Sequence, residues 1–223
     1  MGRSWTPQIG GLAQANSNAQ DGISLVQTAE GSLNEVHAML QRVRDLAVQY
    51  KNGTLSTDDR TAIQSEVNQL GSEIERIGNS AAFNGISLLA NSGTITFQVG
   101  ANDNETISTN AVKLFGSGAG YAVDSGIFSF SGSTINISAI DAAIQNVSTD
   151  RATFGAVQNR LQHTLNNLAN YQENLSASES SIKDVDMASE MVNFTKLQVL
   201  QQAGMSVLSQ ANQSPQSVLS LLR

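Results

Sequence analysis

The sequence predicts a mainly α protein: an elongated antiparallel helical bundle or coiled coil, with a small β-hairpin region and a further C-terminal helix. Three observations predict it. Apolar residues recur at seven-residue steps in two widely separated segments. Between them the apolar period drops to two, and Gly, Ser, Asn and Thr dominate. The final stretch, 187–223, is apolar around its whole circumference.

The first 7-residue repeat runs through Ala19, Val26, Leu33, Leu40 and Ala47. Ala15, Ala29, Val36, Val43 and Tyr50 form the partner set, with Gly22 as its gap. A seam sustained over about five heptads predicts a helix roughly 50 Å long. "KNGT" should end it, with Gly53 in the left-handed conformation. Ser56 and Asp59 then have capping-box spacing for a second helix, in which Ile63, Val67, Leu70, Ile74 and Ile77 share a face. A short connection makes these two helices an antiparallel hairpin. The period changes at "TITFQV", 94–99, where Ile95, Phe97 and Val99 alternate; "GANDN" is a turn and "ETIS" a returning strand. A third helix starts near Ser138. Its seam is Ile140, Val147, Phe154, Leu161, Leu168, Leu175 and Ile182 without a miss, and it should pair with the first.

The resulting division is 1–8 as an added or unstructured lead, 9–90 as rod helices one and two, and 91–136 as β-hairpins and loops. Rod helix three then covers 137–183, and 184–223 is a C-terminal helix. In the last of these, Met191, Phe194, Leu197, Leu200, Val207 and Leu208 point all around, with Leu219 and Leu222 further on. Five glutamines, Gln198, Gln201, Gln202, Gln210 and Gln213, interrupt the apolar run, which argues against a membrane span because each amide would be costly in hydrocarbon. Such a helix should be sheltered by other protein.

Composition narrows the function. The 223 residues are 40% hydrophobic, 14% charged and only 5% aromatic, which suits long helices packed through small aliphatic side chains. Net charge is −7 with no basic cluster, so nothing would displace counterions from a nucleic acid. There is no cysteine, hence no disulfide, thiolate metal site or thiol nucleophile. "MGRSWTPQ" has no apolar core of a secretory leader. His37 and His163 lack metal-ligand spacing, "DVDMASE" at 184–190 lacks the glycine and terminal glutamate of a calcium loop, and "GSGAG" at 116–120 has no lysine after it. No cofactor is expected, and no enzyme.

One helical stretch, "QRVRDLAV" at 41–48, places cations among apolar residues. With Leu40, Val43 and Ala47 as the seam, Glu35, Met39, Arg42 and Leu46 fall roughly 100° around the helix. The plain reading has Met39 and Leu46 touching helix two, and Arg42 paired with Glu35 or solvated. The other reading makes the stripe an interface.

Five blocks in order resemble bacterial flagellin: "NAQDGISLVQTAEGSLNEVHAMLQRVRDLAVQ", "SEIERIGNSAAFNGISLL", "FQVGAN", "NRLQHTLNNLANYQENLSASESSIKDVDMASEM" and "ANQSPQSVLSLLR". The likeness covers about 12–110 and 137–223. It implies a structural subunit of the flagellar filament, made for motility and located outside the cell. It also implies export through the flagellar apparatus without a cleaved leader. Implied partners are other flagellin subunits, an export chaperone wrapping about 187–223, and the innate immune receptor Toll-like receptor 5. For the interface with receptor and neighbouring subunits, the matching positions are Arg42, Leu46 and Glu66. Against the family pattern, no helical N-terminal segment is expected before Gly11, so the chain reads as rod plus C-terminal tail. A hook–filament junction protein and a secretion-system tip or binding module are the alternatives.

Overall fold

The computed structural model describes the backbone of residues 5–117, 120–130, 135–183 and 187–221, with side chains described within these ranges except at 5–6, 182–183, 187 and 212–221. Its elements in order are α1 (Trp5–Tyr50), α2 (Thr57–Ser80), β1 (Ala82–Phe83), β2 (Ile86–Ser87), β3 (Gly93–Gln98), β4 (Thr106–Ala111), β5 (Phe115–Gly116), β6 (Val123–Asp124), a 3₁₀ turn (Ser125–Phe128), α3 (Ile137–Lys183) and α4 (Met187–Leu221). The chain divides into two compact units, Pro7–Glu173 and a second made of Met1–Thr6 with Asn174–Arg223.

The first unit is a helical bundle roofed by irregular β structure. Both sets of the α1 seam are buried: Ala19, Val26, Leu33, Leu40 and Ala47, and Ala15, Ala29, Val36, Val43 and Tyr50. Cross-contacts fix the pairing of α1 with α3. Arg44 meets Asp141, His37 meets Ser148, Arg151 meets Glu30, and the space at Gly22 is filled by Leu161. As one residue number falls the other rises by nearly the same amount, so the two helices run antiparallel in one register. The α3 seam is buried at Ile140, Val147, Phe154, Leu161 and Leu168; Leu175 is half-buried. The side chain of Ile182 lies outside the described residues.

The start of α1 differs from expectation. The helix begins at Trp5, so the lead is helical from Trp5 through Gln8, and helix precedes Gly11. Pro7 sits in the first turn, where its missing N–H leaves no intrahelical bond unmade. The stop also differs. Gly53 is not in the left-handed region. The chain turns because the Asn52 side chain accepts the Thr54 N–H at 3.2 Å and the Asn52 N–H reaches Gln49 O at 3.0 Å. The capping box then starts α2, with Ser56 accepting from the Asp59 N–H at 3.1 Å and Asp59 accepting from the Ser56 N–H at 3.2 Å.

On α2, Ile63, Val67 and Ile74 are buried, while Leu70 and Ile77 pack at the edge of the core. Two glycines receive side chains from the roof: the Phe128 ring lies against Gly71, and Leu114 lies against Gly78. Phe128 also hangs its carbonyl on the Gln64 side chain at 2.9 Å. The β1–β2 hairpin turns at Asn84 and Gly85, both with positive φ (48° and 78°), as a type I′ two-residue turn demands. β3 and β4 pair antiparallel from Gly93↔Ala111 to Gln98↔Thr106, which realises the expected hairpin with a longer return strand. Phe97 of that hairpin fills the gap at Gly22. β5 and β6 form a two-residue parallel pair, and the Tyr50 ring meets Phe130 edge-on at 5.6 Å.

Candidate functional site

Two surfaces carry the sequence-derived candidates. The first lies on the α1/α2 side of the bundle. Arg42 and Glu66 are joined across the helices: Nε donates to Glu66 Oε1 at 2.7 Å, and Nη2 to the same oxygen at 2.7 Å. The hydrogen bond to Glu66, and then its charge, raise the Arg42 guanidinium further above its ordinary value. Both side chains stay about half-exposed. Arg42 therefore pairs with Glu66 and not with Glu35. Glu35 is exposed at the rim of a shallow groove lined by Gly31, Ser32, Ile77 and Ala81 among others, with a volume of about 380 Å³. Met39 is half-buried and packs on the core.

Leu46 does not belong to this surface. It is 1% exposed and sits in the core. The expected stripe of Glu35, Met39, Arg42 and Leu46 is thus split, its last member turned inward. The reason is that α1 has neighbours on more than one side. A helix flanked by α2, by α3 and by the β3–β4 hairpin buries a wider arc than a two-helix seam does.

The second surface is α4, in the second unit. Every described side chain from 188 to 211 is exposed. Among them Met191 is 56% exposed, Phe194 59%, Leu197 66%, Leu200 58%, Val207 67% and Leu208 62%. Val192, Val199 and Met205 join them, and the all-round apolar pattern is the sequence signal for all three. Leu219 lies in α4, but its side chain lies outside the described residues, and Leu222 lies outside them altogether. So do Asp184 and Asp186 of "DVDMASE"; Glu190 is in the first turn of α4, where an acid suits the helix dipole. Contiguous exposed apolar area on this scale marks a surface that other molecules cover.

Remaining clusters are structural. His37 bonds to Gln41 and approaches Ser148 at 3.4 Å, tying α1 to α3, and His163 is exposed. Among the described residues no group of three His, Asp or Glu side chains is placed to hold a metal, and no helix is long and apolar enough to cross a membrane. A groove of about 470 Å³ lies beside Lys113, Tyr121 and Asp150. Burial raises the Asp150 carboxyl above its ordinary value.

Helices locked in register, one surface of paired charges and one helix of exposed apolar side chains give the chain the character of a structural subunit. Comparison with known proteins gives the family. The bacterial flagellin N-terminal helical region matches residues 2–94, and the bacterial flagellin C-terminal helical region matches 137–222. A flagellin of Halalkalibacterium halodurans is 49% identical over 218 residues, covering 97% of this chain and 80% of that one. The crystal structure of Bacillus cereus flagellin is 30% identical, with a TM-score of 0.57 over 68% of this chain and 88% of the other. A protein described as flagellar hook-associated, from Vibrio parahaemolyticus, superposes with a TM-score of 0.67 over 81% of this chain and 95% of that one, but at 17% identity it shares the fold alone.

The chain belongs to the bacterial flagellin family. It is a structural component of the extracellular flagellar filament and not an enzyme.

Proposed function

We propose that the α4 surface is the assembly and escort surface of this subunit, and that the Arg42–Glu66 face is its lateral recognition surface. The observation that carries the first part is the run of exposed apolar side chains from Met191 to Leu208. In the cell before export, an export chaperone shelters this helix. In the filament, neighbouring subunits do so, through the same apolar contacts. Amphipathic or wholly apolar helices lie into grooves of helical partners in this way, and binding supplies the burial that the chain alone does not. The subunit leaves the cell unfolded through the flagellar export apparatus; a chain without cysteine passes through unfolding without forming cross-links.

A pull-down with a flagellar export chaperone, using the full chain and a chain ending at residue 186, tests this. Binding should be lost with 187–223; undiminished binding would sink the escort role.

On the α1/α2 face, Arg42 serves as the anchor for neighbouring subunits and for Toll-like receptor 5, with Glu66 holding its guanidinium in place and Glu35 and Met39 flanking it. Arginine suits this role because its planar fork makes directed hydrogen bonds while its stem packs. Arg42→Ala should weaken receptor signalling in a reporter-cell assay at unchanged helix content. Equal signalling by variant and parent would remove Arg42 from the surface.

A further inference from the structure

We propose that Asn52 is a site of spontaneous covalent modification, converting to aspartate and isoaspartate through a cyclic imide. The chain contains two Asn–Gly pairs, Asn52–Gly53 and Asn84–Gly85. Glycine in second place leaves its backbone nitrogen unshielded. In the reaction, the Gly53 nitrogen loses its proton to solvent base and attacks Cγ of Asn52. Nδ2 leaves as ammonia, taking up a proton, and a five-membered imide remains. Water then adds to one of the two imide carbonyls. Addition at Cγ breaks the new Cγ–N bond and gives aspartate. Addition at the main-chain carbonyl breaks the original peptide bond and gives isoaspartate, whose chain continues through the side chain. Water is the only co-reactant.

The fold separates the two candidates. Asn52 Oδ1 accepts the Thr54 N–H at 3.2 Å. This bond arches the side chain over Gly53 in an Asx turn. It also places a donor on the oxygen where negative charge builds as the tetrahedral centre forms, which is how backbone N–H groups favour acyl chemistry. Both Asn–Gly pairs are exposed, and a Cβ built at Gly53 or at Gly85 would meet nothing within 4 Å, so access is alike at the two sites and backbone geometry separates them. Asn84 and Gly85, by contrast, are the two central residues of the type I′ turn, closed on either side by Phe83↔Ile86 and Ala82↔Ser87. Ring closure there requires a backbone rotation that the hairpin blocks.

The product would lie among cations. Arg60 Nη2 donates to the Asn52 carbonyl at 3.4 Å, with its guanidinium 5.4 Å from the centre of the Tyr50 ring, and Lys51 is adjacent in sequence. A new carboxylate at 52 has partners waiting. In a filament subunit outside the cell, the converted fraction would grow with the age of the subunit.

The test is to hold the purified full chain at mildly alkaline pH, digest samples over time and read the peptides by mass spectrometry, with isoaspartyl methyltransferase labelling. The peptide carrying Asn52 should gain the mass of an NH₂-to-OH exchange and split into two chromatographic forms. The Asn84 peptide should convert at least about tenfold more slowly, a rate difference of about 1.4 kcal/mol in barrier. In denaturant the two sites should approach one rate, since the fold makes the difference. Gly53→Ala should slow conversion at Asn52 without touching Asn84. Equal rates in the folded chain, faster conversion at Asn84, or indifference to Gly53→Ala would each overturn the assignment.

Discussion

At the scale of single residues, Leu46 and Arg42 are four residues apart and call for opposite outcomes. Leu46 is fully buried, so Leu46→Ala should destabilise the first unit by about 2–5 kcal/mol, through lost transfer energy and a cavity. Urea unfolding followed by circular dichroism would show a lower midpoint with an unchanged slope. Arg42→Ala removes only a solvent-exposed pair and should leave that midpoint where it was. Acid pH probes two other side chains. The Ser56 hydroxyl, then the Ser56 backbone N–H, hold the Asp59 carboxyl below its ordinary value; the Asn102 side chain, then its backbone N–H, do the same for Glu105. A carboxyl depressed in the folded state contributes stability above its unfolded pKa and loses it as pH falls through the folded value. The stability gap between the parent and Asp59→Asn should therefore be constant at neutral pH and close below about pH 4. A gap independent of pH would show that the cap does not depend on the charge.

Between secondary-structure elements, the seven-residue spacing carried most of the information. It was readable for α1 and α3 because each keeps one face against the same neighbour for many turns, and a long repeated contact writes a long repeated pattern. Gly22 shows what such a pattern leaves out. A heptad asks for a large apolar residue there, yet Phe97 from β3 and Leu161 from α3 already occupy the space, at 3.1 and 3.2 Å from where a Cβ would stand. Gly22→Leu, which perfects the repeat, should cost about 1–3 kcal/mol by overpacking, read as a lowered thermal midpoint. Turns were less legible. Asn84–Gly85 is a strong hairpin signal, and it lies just before the region where hairpins were sought. Gly53 invited a left-handed stop, but the Asn52 side chain ends the turn by a different bond. The parallel β5–β6 pair has no local signature, because two residues on each strand are too few to show a period. The plain reading, with Met39 and Leu46 turned inward, fits the burial of both, while the interface reading misplaces Leu46: helical geometry gives its angle, but only the neighbours of α1 decide how wide the buried arc is.

For the whole molecule, the two units differ in how their apolar side chains are spent. In Pro7–Glu173 the large ones are overwhelmingly inside, whereas in α4 those described are outside. Digestion of the free chain with a dilute protease should leave a resistant fragment ending near Glu173, while α4 is cut early, because opening a helix with little buried area costs little. Protection of α4 as strong as that of the first unit would show that the isolated chain already shelters it. Saturating export chaperone should slow the cutting of α4 and leave the other sites unchanged. The candidate sites were legible to the degree that they depended on composition along a helix. The all-round apolar character of 187–211 was visible at once, whereas the Arg42–Glu66 partnership, which joins two helices, needed the register between them.

The contact of His37 with Ser148 across α1 and α3 has a practical side. Because the chain holds no cysteine, two cysteines installed at those positions would carry its only thiols, and a disulfide between them would clasp the bundle reversibly by choice of redox buffer.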